Sequence, residues 1–191
     1  GFKADDFCSR GDLGEIRRML HDQDVPVNSI LSCATFEEMQ KAPRAELNVL
    51  LGGDGLECAK AMQEEFGIPF IAVPYRYGLI KSTEFLEKIA FALGRTVDPG
   101  VMEKEKKRIK QTVERAHMFF QGIYSMPVAV VGESGRAFDL SEFLGNELGL
   151  DVKLLAISSC NSATPEKAKM TGARYKNLMI EPDRWEMDRA L

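Results

Sequence analysis

Glycines dominate the first segment of the sequence in which chemistry is plausible. Gly52, Gly53, Asp54 and Gly55 follow the apolar run at residues 47–51 directly. Without side chains, the backbone N–H groups at the start of the following helix could approach an anion. A tight turn that needs positive φ angles is the favoured explanation of the same residues. The segment lacks both the GxGxxG spacing and the lysine of a phosphate-binding loop, so both interpretations remain open.

A second segment with possible chemistry spans residues 132–136 and contains Ser134 and Arg136. The arginine and free backbone amides could hold a negatively charged group at a helix N-terminus. Glu133 lies beside them and would repel a phosphate. The segment is therefore a candidate anion site or an ordinary turn.

Thiols suggest a different chemistry. Cys160 lies in the small polar segment 158–162, and Cys33 holds the corresponding position after an earlier predicted strand. Thiolates at such positions could bind a soft metal or an iron–sulfur cluster. The alternative is a half-buried thiol that only packs. Cys58, in the first turn of a predicted helix, is expected to belong to the core.

Hydrophobic periodicity predicts the elements that position these residues. Short apolar runs at residues 27–31, 47–51 and 68–73 alternate with helical patterns. Thr35 and Glu38 form a capping box that starts one helix, Gly67 ends the next helix, and Thr83 is expected to open the one after it. Alternating strands and helices predict an α/β fold, a flavodoxin- or Rossmann-like unit whose open parallel sheet has helices on both faces.

The pattern begins again after a long helix. Asp98 and Pro99 predict the start of that helix, which runs to about residue 121. Strands at 128–131 and 152–157, a loop at 132–135 and a helix at 138–148 then follow, with a helix from Thr164, a strand at 178–180 and a last helix near residue 183. We expect a first α/β unit at 1–97, a connecting helix at 98–126 and a second, truncated unit at 127–191.

Parallel strands end at one edge of their sheet, which predicts where the candidate residues meet. Cys33, the 52–54 turn and the 75–78 segment should share one rim of the first unit. Residues 132–136 and 158–160 should share a rim of the second. If the two units face each other, these rims border a common cleft.

Composition excludes several classes of protein. The 25 Lys and Arg against 29 Asp and Glu give a net charge of −4, which argues against nucleic-acid binding. No apolar run approaches the ~18 residues of a membrane span, and no charged-then-apolar leader is visible. Four cysteines without a CxxC pair predict a reduced, cytoplasmic protein. A start at Gly1 and a final helix where a strand is expected suggest a fragment.

Several motifs in order resemble the second and third domains of nitrogenase component 1-type oxidoreductases. The resemblance begins with residues 5–12 and the Ala-Thr-Phe-Glu-Glu-Met run at 34–39. It continues with Glu46-Leu47-Asn48-Val49 and with Phe66-Gly67-Ile68-Pro69, then with residues 75–79, which contain Tyr75 and Arg76, and the helix after them. The long charged helix and the strand ending at Gly132 fit the passage into the next domain.

The resemblance implies a function for a longer protein. Members of the family pair as heterotetramers with a homologous subunit and take low-potential electrons from an ATP-dependent iron–sulfur reductase. In the nitrogenase catalytic subunit, a cysteine after the Leu-Asn strand ligates the metal cluster, and Gly52 holds that position here. The resemblance thus implies no metal site and no cofactor in the fragment, and an iron–sulfur or other cluster in the full-length complex.

Two hypotheses follow from the resemblance. In the first, the full-length protein reduces a bound substrate of tetrapyrrole or other type, and dinitrogen is a less favoured substrate. The missing side chain at Gly52 would then leave room for a planar group. In the second, the subunit is a non-catalytic cofactor-assembly scaffold or binds a partner. The expected cofactor-binding residues are Gly52, Gly53, Asp54, Cys33, Tyr75, Arg76, Ser134 and Cys160.

Overall fold

A computed structural model describes residues 9–120, 122–171, 174, 175, 177–183, 185, 186 and 189, without the side chains of 9, 10, 113 and 116–120. Helices and strands alternate along most of this length, as the hydrophobic pattern predicts. The elements are α1 Ser9–His21, α2 Phe36–Lys41, β1 Asn48–Leu51, α3 Leu56–Phe66, β2 Phe70–Val73, α4 Gly78–Ala92, α5 Pro99–Phe120, β3 Pro127–Glu133, α6 Ser134–Asn146, β4 Asp151–Ser159, α7 Thr164–Thr171 and β5 Leu178–Ile180.

The first sheet is the parallel pair β1–β2, with Asn48 opposite Phe70 and Leu51 opposite Val73. Helices cover both of its faces. On one face, α1 and α4 form a buried core with Val73 and Tyr75. Phe85 of α4 is the most buried residue of this core. On the other face lies α3, where Met62 and Ile68 are buried together. Alternating side chains of a strand point to opposite faces, so a short strand joins both layers.

Residues 27–31 do not form the strand that their apolar pattern predicts. Residues 25–30 are irregular, and a 3₁₀ turn, Leu31–Cys33, follows them. A strand needs a neighbour that accepts its backbone hydrogen bonds, and within the described residues none pairs with this segment. Local pattern alone could not reveal that deficit.

Helix α4 begins at Gly78, five residues before the predicted start at Thr83. Its N-terminal groups have a partner that is distant in sequence, because the carboxylate of Glu147 accepts hydrogen bonds from the backbone N–H groups of Leu79 and Ile80 at 2.6 and 3.1 Å. The same helix contributes Lys81, which forms an ion pair with Glu142 at 3.0 Å. These contacts fix α4 against α6.

Helix α5 begins as its sequence predicts. The carboxylate of Asp98 accepts a hydrogen bond from the N–H of Gly100 at 2.7 Å, and Pro99 occupies the first helical position. Arg18 of α1 binds Glu105 of α5 at 2.8 Å and also pairs with Glu15 and Asp22. The charged first half of α5 is thereby tied to α1.

The second sheet is parallel, in the order β3-β4-β5. β4 lies in the middle, and Leu154, Leu155, Ala156 and Ile157 are almost completely buried. The predicted loop at 132–135 is absent, because β3 continues to Glu133 and α6 starts at Ser134. Gly135, one of the two glycines that suggested a loop, instead packs closely against Gly52.

No helix among the described residues is long and apolar enough to cross a membrane.

Candidate functional site

The ends of β1 and β2 meet the starts of α6 and α7, and we call this contact the junction. It contains Gly52, Asp54 and Tyr75 from the first sheet's side, and Ser134, Gly135, Arg136, Asp139, Asn161 and Lys167 from the second. The structure therefore brings together loops of both predicted rims.

Gly52 lies in the most crowded part of the junction. Its φ of +63° is in the left-handed region, and Gly53 beside it has φ +93°. A Cβ at Gly52 would lie 2.5 Å from Cε2 of Tyr75 and 2.9 Å from Cα of Gly135. Both backbone conformation and close approach therefore require glycine here. The room for a planar group that the missing side chain suggested is filled by the Tyr75 ring and the Gly135 backbone.

Asn161 connects the two sheets through its side chain. Its Nδ2 donates hydrogen bonds to the carbonyl of Gly52 and to Oδ1 of Asp54, both at 3.0 Å. Its Oδ1 accepts from the N–H of Ala163 at 3.0 Å, which holds the amide in this orientation. The sequence pattern at residues 158–162 favours Cys160 as the functional residue, whereas the structure places Asn161 in the junction. The signal in the sequence is an asparagine three residues before Thr164, because asparagine side chains in turns accept a hydrogen bond from the backbone two residues on.

Tyr75 is almost completely buried in the junction. Its hydroxyl donates to Oδ2 of Asp54 at 3.2 Å, and the Arg136 guanidinium lies 5.1 Å from the centre of its ring. Burial raises the pKa of Tyr75 above its ordinary value, and the Asp54 carboxylate acts in the same direction. The phenol is therefore neutral at physiological pH and serves as a hydrogen-bond donor.

Asp139, which the sequence analysis missed, is 2% exposed. Its Oδ2 accepts a hydrogen bond from the N–H of Tyr75 at 2.7 Å, and its Oδ1 binds Nζ of Lys167 at 2.9 Å. Burial raises the pKa of Asp139, although the lysine opposes that shift. The sequence signal for Asp139 is an acidic residue within the otherwise apolar segment 137–140 of α6. An acid buried in such a segment needs a partner, which marks it as a candidate for a specific contact.

Ser134 lies within the junction and is buried. Its Oγ accepts a hydrogen bond from the hydroxyl of Thr164 at 2.7 Å, which joins the start of α6 to the start of α7. Thr164 Oγ1 also accepts from the N–H of Asn161 at 2.8 Å. In the candidate anion site, the Ser134 hydroxyl is thus engaged by a hydrogen bond within the protein.

Arg76 does not point into the junction. Its guanidinium donates to the carbonyl of Asp12 at 3.0 Å and lies 5.8 Å from the centre of the Phe85 ring. Burial lowers its pKa, while Asp12 and Glu15 oppose that effect. Arg76 therefore anchors α1 to the end of β2.

The three cysteines in the described residues, Cys33, Cys58 and Cys160, are exposed and free. Cys160 adjoins Asn161, and its N–H donates to Glu181 at 3.2 Å. Desolvation and the nearby Glu181 raise the pKa of the Cys160 thiol, which lowers its thiolate fraction at neutral pH. Across the part of the chain that the structure describes, no three Cys, His, Asp or Glu residues are grouped to hold a metal ion. These residues do not fit an iron–sulfur cluster by themselves.

Known proteins resemble this chain along most of its length. The model of the family "Nitrogenase component 1 type Oxidoreductase" matches residues 4–191. The nitrogenase vanadium-iron protein beta chain of Trichormus variabilis is 23% identical over 93% of this chain and 43% of its own length. A subunit of the light-independent protochlorophyllide reductase of Zygnema circumcarinatum is 25% identical over 76% of this chain and 31% of its own length.

A solved structure shows the same fold. The structure described as nitrogenase Cp1 at pH 6.5 superimposes with a TM-score of 0.69 and 19% sequence identity, over 92% of this chain and 43% of that one. This chain therefore spans less than half the length of these relatives. Because the family model covers nearly every residue, the chain belongs to the nitrogenase component 1-type oxidoreductase family.

Proposed function

We propose that this chain is part of a subunit that, in a longer protein, delivers low-potential electrons to a bound substrate of the tetrapyrrole class. The observation that carries the proposal is Gly52. Its family position is the one at which the resemblance implies a metal-ligating cysteine, and here any side chain would meet Tyr75 and Gly135. A reaction that needs no metal ligand in this turn fits that geometry better than dinitrogen reduction does. The similarity to a light-independent protochlorophyllide reductase supports the same class of substrate.

The partners and cofactor of this proposal lie outside the chain. An ATP-dependent iron–sulfur reductase would supply electrons, and a homologous subunit would complete the assembly. The described residues do not fit a cluster, so the ligands of any iron–sulfur cluster are proposed to come from other parts of the longer protein or from its partner. Within this chain, the junction residues hold the two sheets in a fixed relation.

Turnover by the longer protein tests the proposal. The protein, purified without oxygen together with its homologous subunit, is mixed with an ATP-dependent iron–sulfur reductase and ATP. Protochlorophyllide reduction is followed by absorbance, and acetylene reduction is assayed in parallel as the control for nitrogenase chemistry. We expect ATP-dependent reduction of the tetrapyrrole and no ethylene. Ethylene formation without tetrapyrrole turnover would contradict the proposed substrate class.

A scaffold role is the second candidate, favoured by the closed geometry of the junction. Tyr75 and Asp139 are 5% and 2% exposed, so neither side chain can reach a substrate without a rearrangement. In a scaffold, the junction would be only a structural contact. Iron on the purified protein that passes to a partner without ATP-dependent turnover would favour this role.

A further inference from the structure

The edge of β1 that faces away from β2 has no partner within the described residues. The N–H of Asn48 donates to the carbonyl of Pro69 at 2.9 Å, and the N–H of Gly52 donates to Val73 at 2.8 Å. In a parallel pair, alternate residues bond to the same neighbour, so the N–H groups of Val49 and Leu51 point away from β2. Neither of these groups makes a hydrogen bond with any residue that the structure describes.

A cavity of about 760 Å³ runs along this open edge. Helices cover it on both sides, with Leu13 and Ile16 of α1 on one and Ala59 and Met62 of α3 on the other, and residues 25–32 form the opposite wall. A strand of five residues, at ~3.3 Å per residue, ~4.8 Å from its neighbour and ~10 Å between covering layers, takes up about 800 Å³. The cavity therefore has about the volume of one missing strand.

Helix α1 defines the direction of that strand. The carbonyl of Asp12, in the first turn of α1, accepts a hydrogen bond from Arg76, which follows β2. α1 therefore begins at the carboxyl ends of the strands and runs back along the sheet to Leu20 and Val25. A strand that ends at this same edge of the sheet before such a helix runs parallel to β1, as in a right-handed strand–helix–strand unit.

We infer that the longer protein inserts an extended strand into this cavity, from the part of its chain that precedes Gly1, parallel to β1. The chain spans 43% of the length of the vanadium-iron protein beta chain, so a longer protein has residues to supply it. The walls require apolar side chains on both faces of the strand, as expected for the centre of a parallel sheet. With the strand in place, residues 25–31 would gain the neighbour that they lack. This inference rests on the chain being part of a longer protein and not on the reaction that the protein catalyses.

Backbone amide exchange tests the inference at single residues. Exchange is measured by mass spectrometry with electron-transfer fragmentation, on this 191-residue chain and on the protein that carries its natural N-terminal extension. We expect the Val49 and Leu51 amides to exchange about 100-fold more slowly in the longer protein, because each gains a hydrogen bond inside a covered sheet. The Leu50 amide, which faces β2 in both proteins, is the matched control, and its rate should change much less.

Two results would overturn the inference. Equal exchange at Val49 and Leu51 in both proteins would mean that the extension does not reach the edge of β1. Exchange at these two amides as slow as at Leu50 in the 191-residue chain alone would mean that the chain closes its own edge. Either result leaves the proposed reductase function unaffected, since turnover is measured separately.

Discussion

At the scale of single residues, glycines permit the contact between the two sheets. Gly52 and Gly135 approach each other so closely that a Cβ on Gly135 would lie 3.0 Å from the Gly52 carbonyl. Tyr75 fills the remaining space and is held by Asp54 and Asp139. Small changes at these positions should therefore affect stability more than similar changes elsewhere.

The substitution Gly52→Ala tests the close approach. The left-handed φ costs an alanine about 1–2 kcal/mol, and overlap with Tyr75 and Gly135 adds roughly 1–3 kcal/mol. Gly67→Ala is the matched control, because Gly67 has φ +70° but nothing within 4 Å of its Cβ position. Urea unfolding should show a clearly larger loss for Gly52→Ala, and equal losses would mean that the junction is not tightly packed.

Asp139→Ala removes the buried acceptor of the junction. The Tyr75 N–H and the Lys167 ammonium then lose their partner, so we expect a loss of about 3–5 kcal/mol in the free energy of unfolding. Asp151→Ala is the control, because Asp151 pairs with Lys153 on the surface and should contribute less than about 1 kcal/mol. Similar losses in both variants would contradict the role of Asp139.

The pH dependence of stability should have opposite signs for the carboxyl groups of Asp139 and Glu15. Burial raises the pKa of Asp139, so the native protein takes up this proton at a higher pH than the unfolded chain does. On going from pH 7 to about pH 4, wild type should therefore gain stability relative to Asp139→Asn. Arg18 lowers the pKa of Glu15, so wild type should lose stability relative to Glu15→Gln over the acid range below pH 4.5. Urea titrations at several pH values measure both differences, and the same sign for both would contradict the assignment.

At the level of helices and strands, an acidic residue at the end of α6 caps the start of α4. Glu147 follows α6 and accepts hydrogen bonds from the first turn of α4. We expect Glu147→Ala to cost about 1–3 kcal/mol, because the half-buried N–H of Leu79 and the exposed N–H of Ile80 both lose their acceptor. Glu38→Ala, which opens the exposed capping box of α2, is the control and should cost less than about 1 kcal/mol in urea unfolding. A smaller loss for Glu147→Ala than for Glu38→Ala would show that water replaces the cap.

Elements whose ends are determined locally could be predicted from the sequence. The capping box at Thr35, the left-handed Gly67 after α3 and the Asp98-Pro99 start of α5 all lie within a few residues of the groups they satisfy. The start of α4 and the absent strand at 27–31 depend on distant partners. The same distinction holds in the candidate site, where Gly52 and Tyr75 were selected but Asp139 and Asn161 were not. Their partners are 64 and 107 residues away along the chain, at Tyr75 and Asp54.

At the scale of the whole molecule, the two sheets are docked by polar contacts at two places. One is the junction, and the other is the α4–α6 contact through Glu147 and the Lys81–Glu142 pair. This arrangement predicts a single cooperative unfolding transition in calorimetry, with equal calorimetric and van't Hoff enthalpies. In the Asp139→Ala/Glu147→Ala double variant, the transition should broaden or split. A double variant that still unfolds in one two-state transition, only at a lower Tm, would contradict the view that the two sheets are separate units joined by these contacts.

The crowding at Gly52 also restricts how related sequences can diverge. A lineage cannot acquire a cysteine at this position by one substitution, because the thiol would collide with the Tyr75 ring, so the order of substitutions matters. A smaller residue at position 75 removes the collision with the ring, whereas the Gly135 backbone and the left-handed φ still disfavour a side chain at position 52. A double-mutant cycle with Gly52→Cys and Tyr75→Ala should therefore show favourable coupling of about 1–3 kcal/mol, as expected for residues in contact. Relatives with a cysteine at position 52 are accordingly expected to have a smaller residue, or a displaced ring, where this chain has Tyr75.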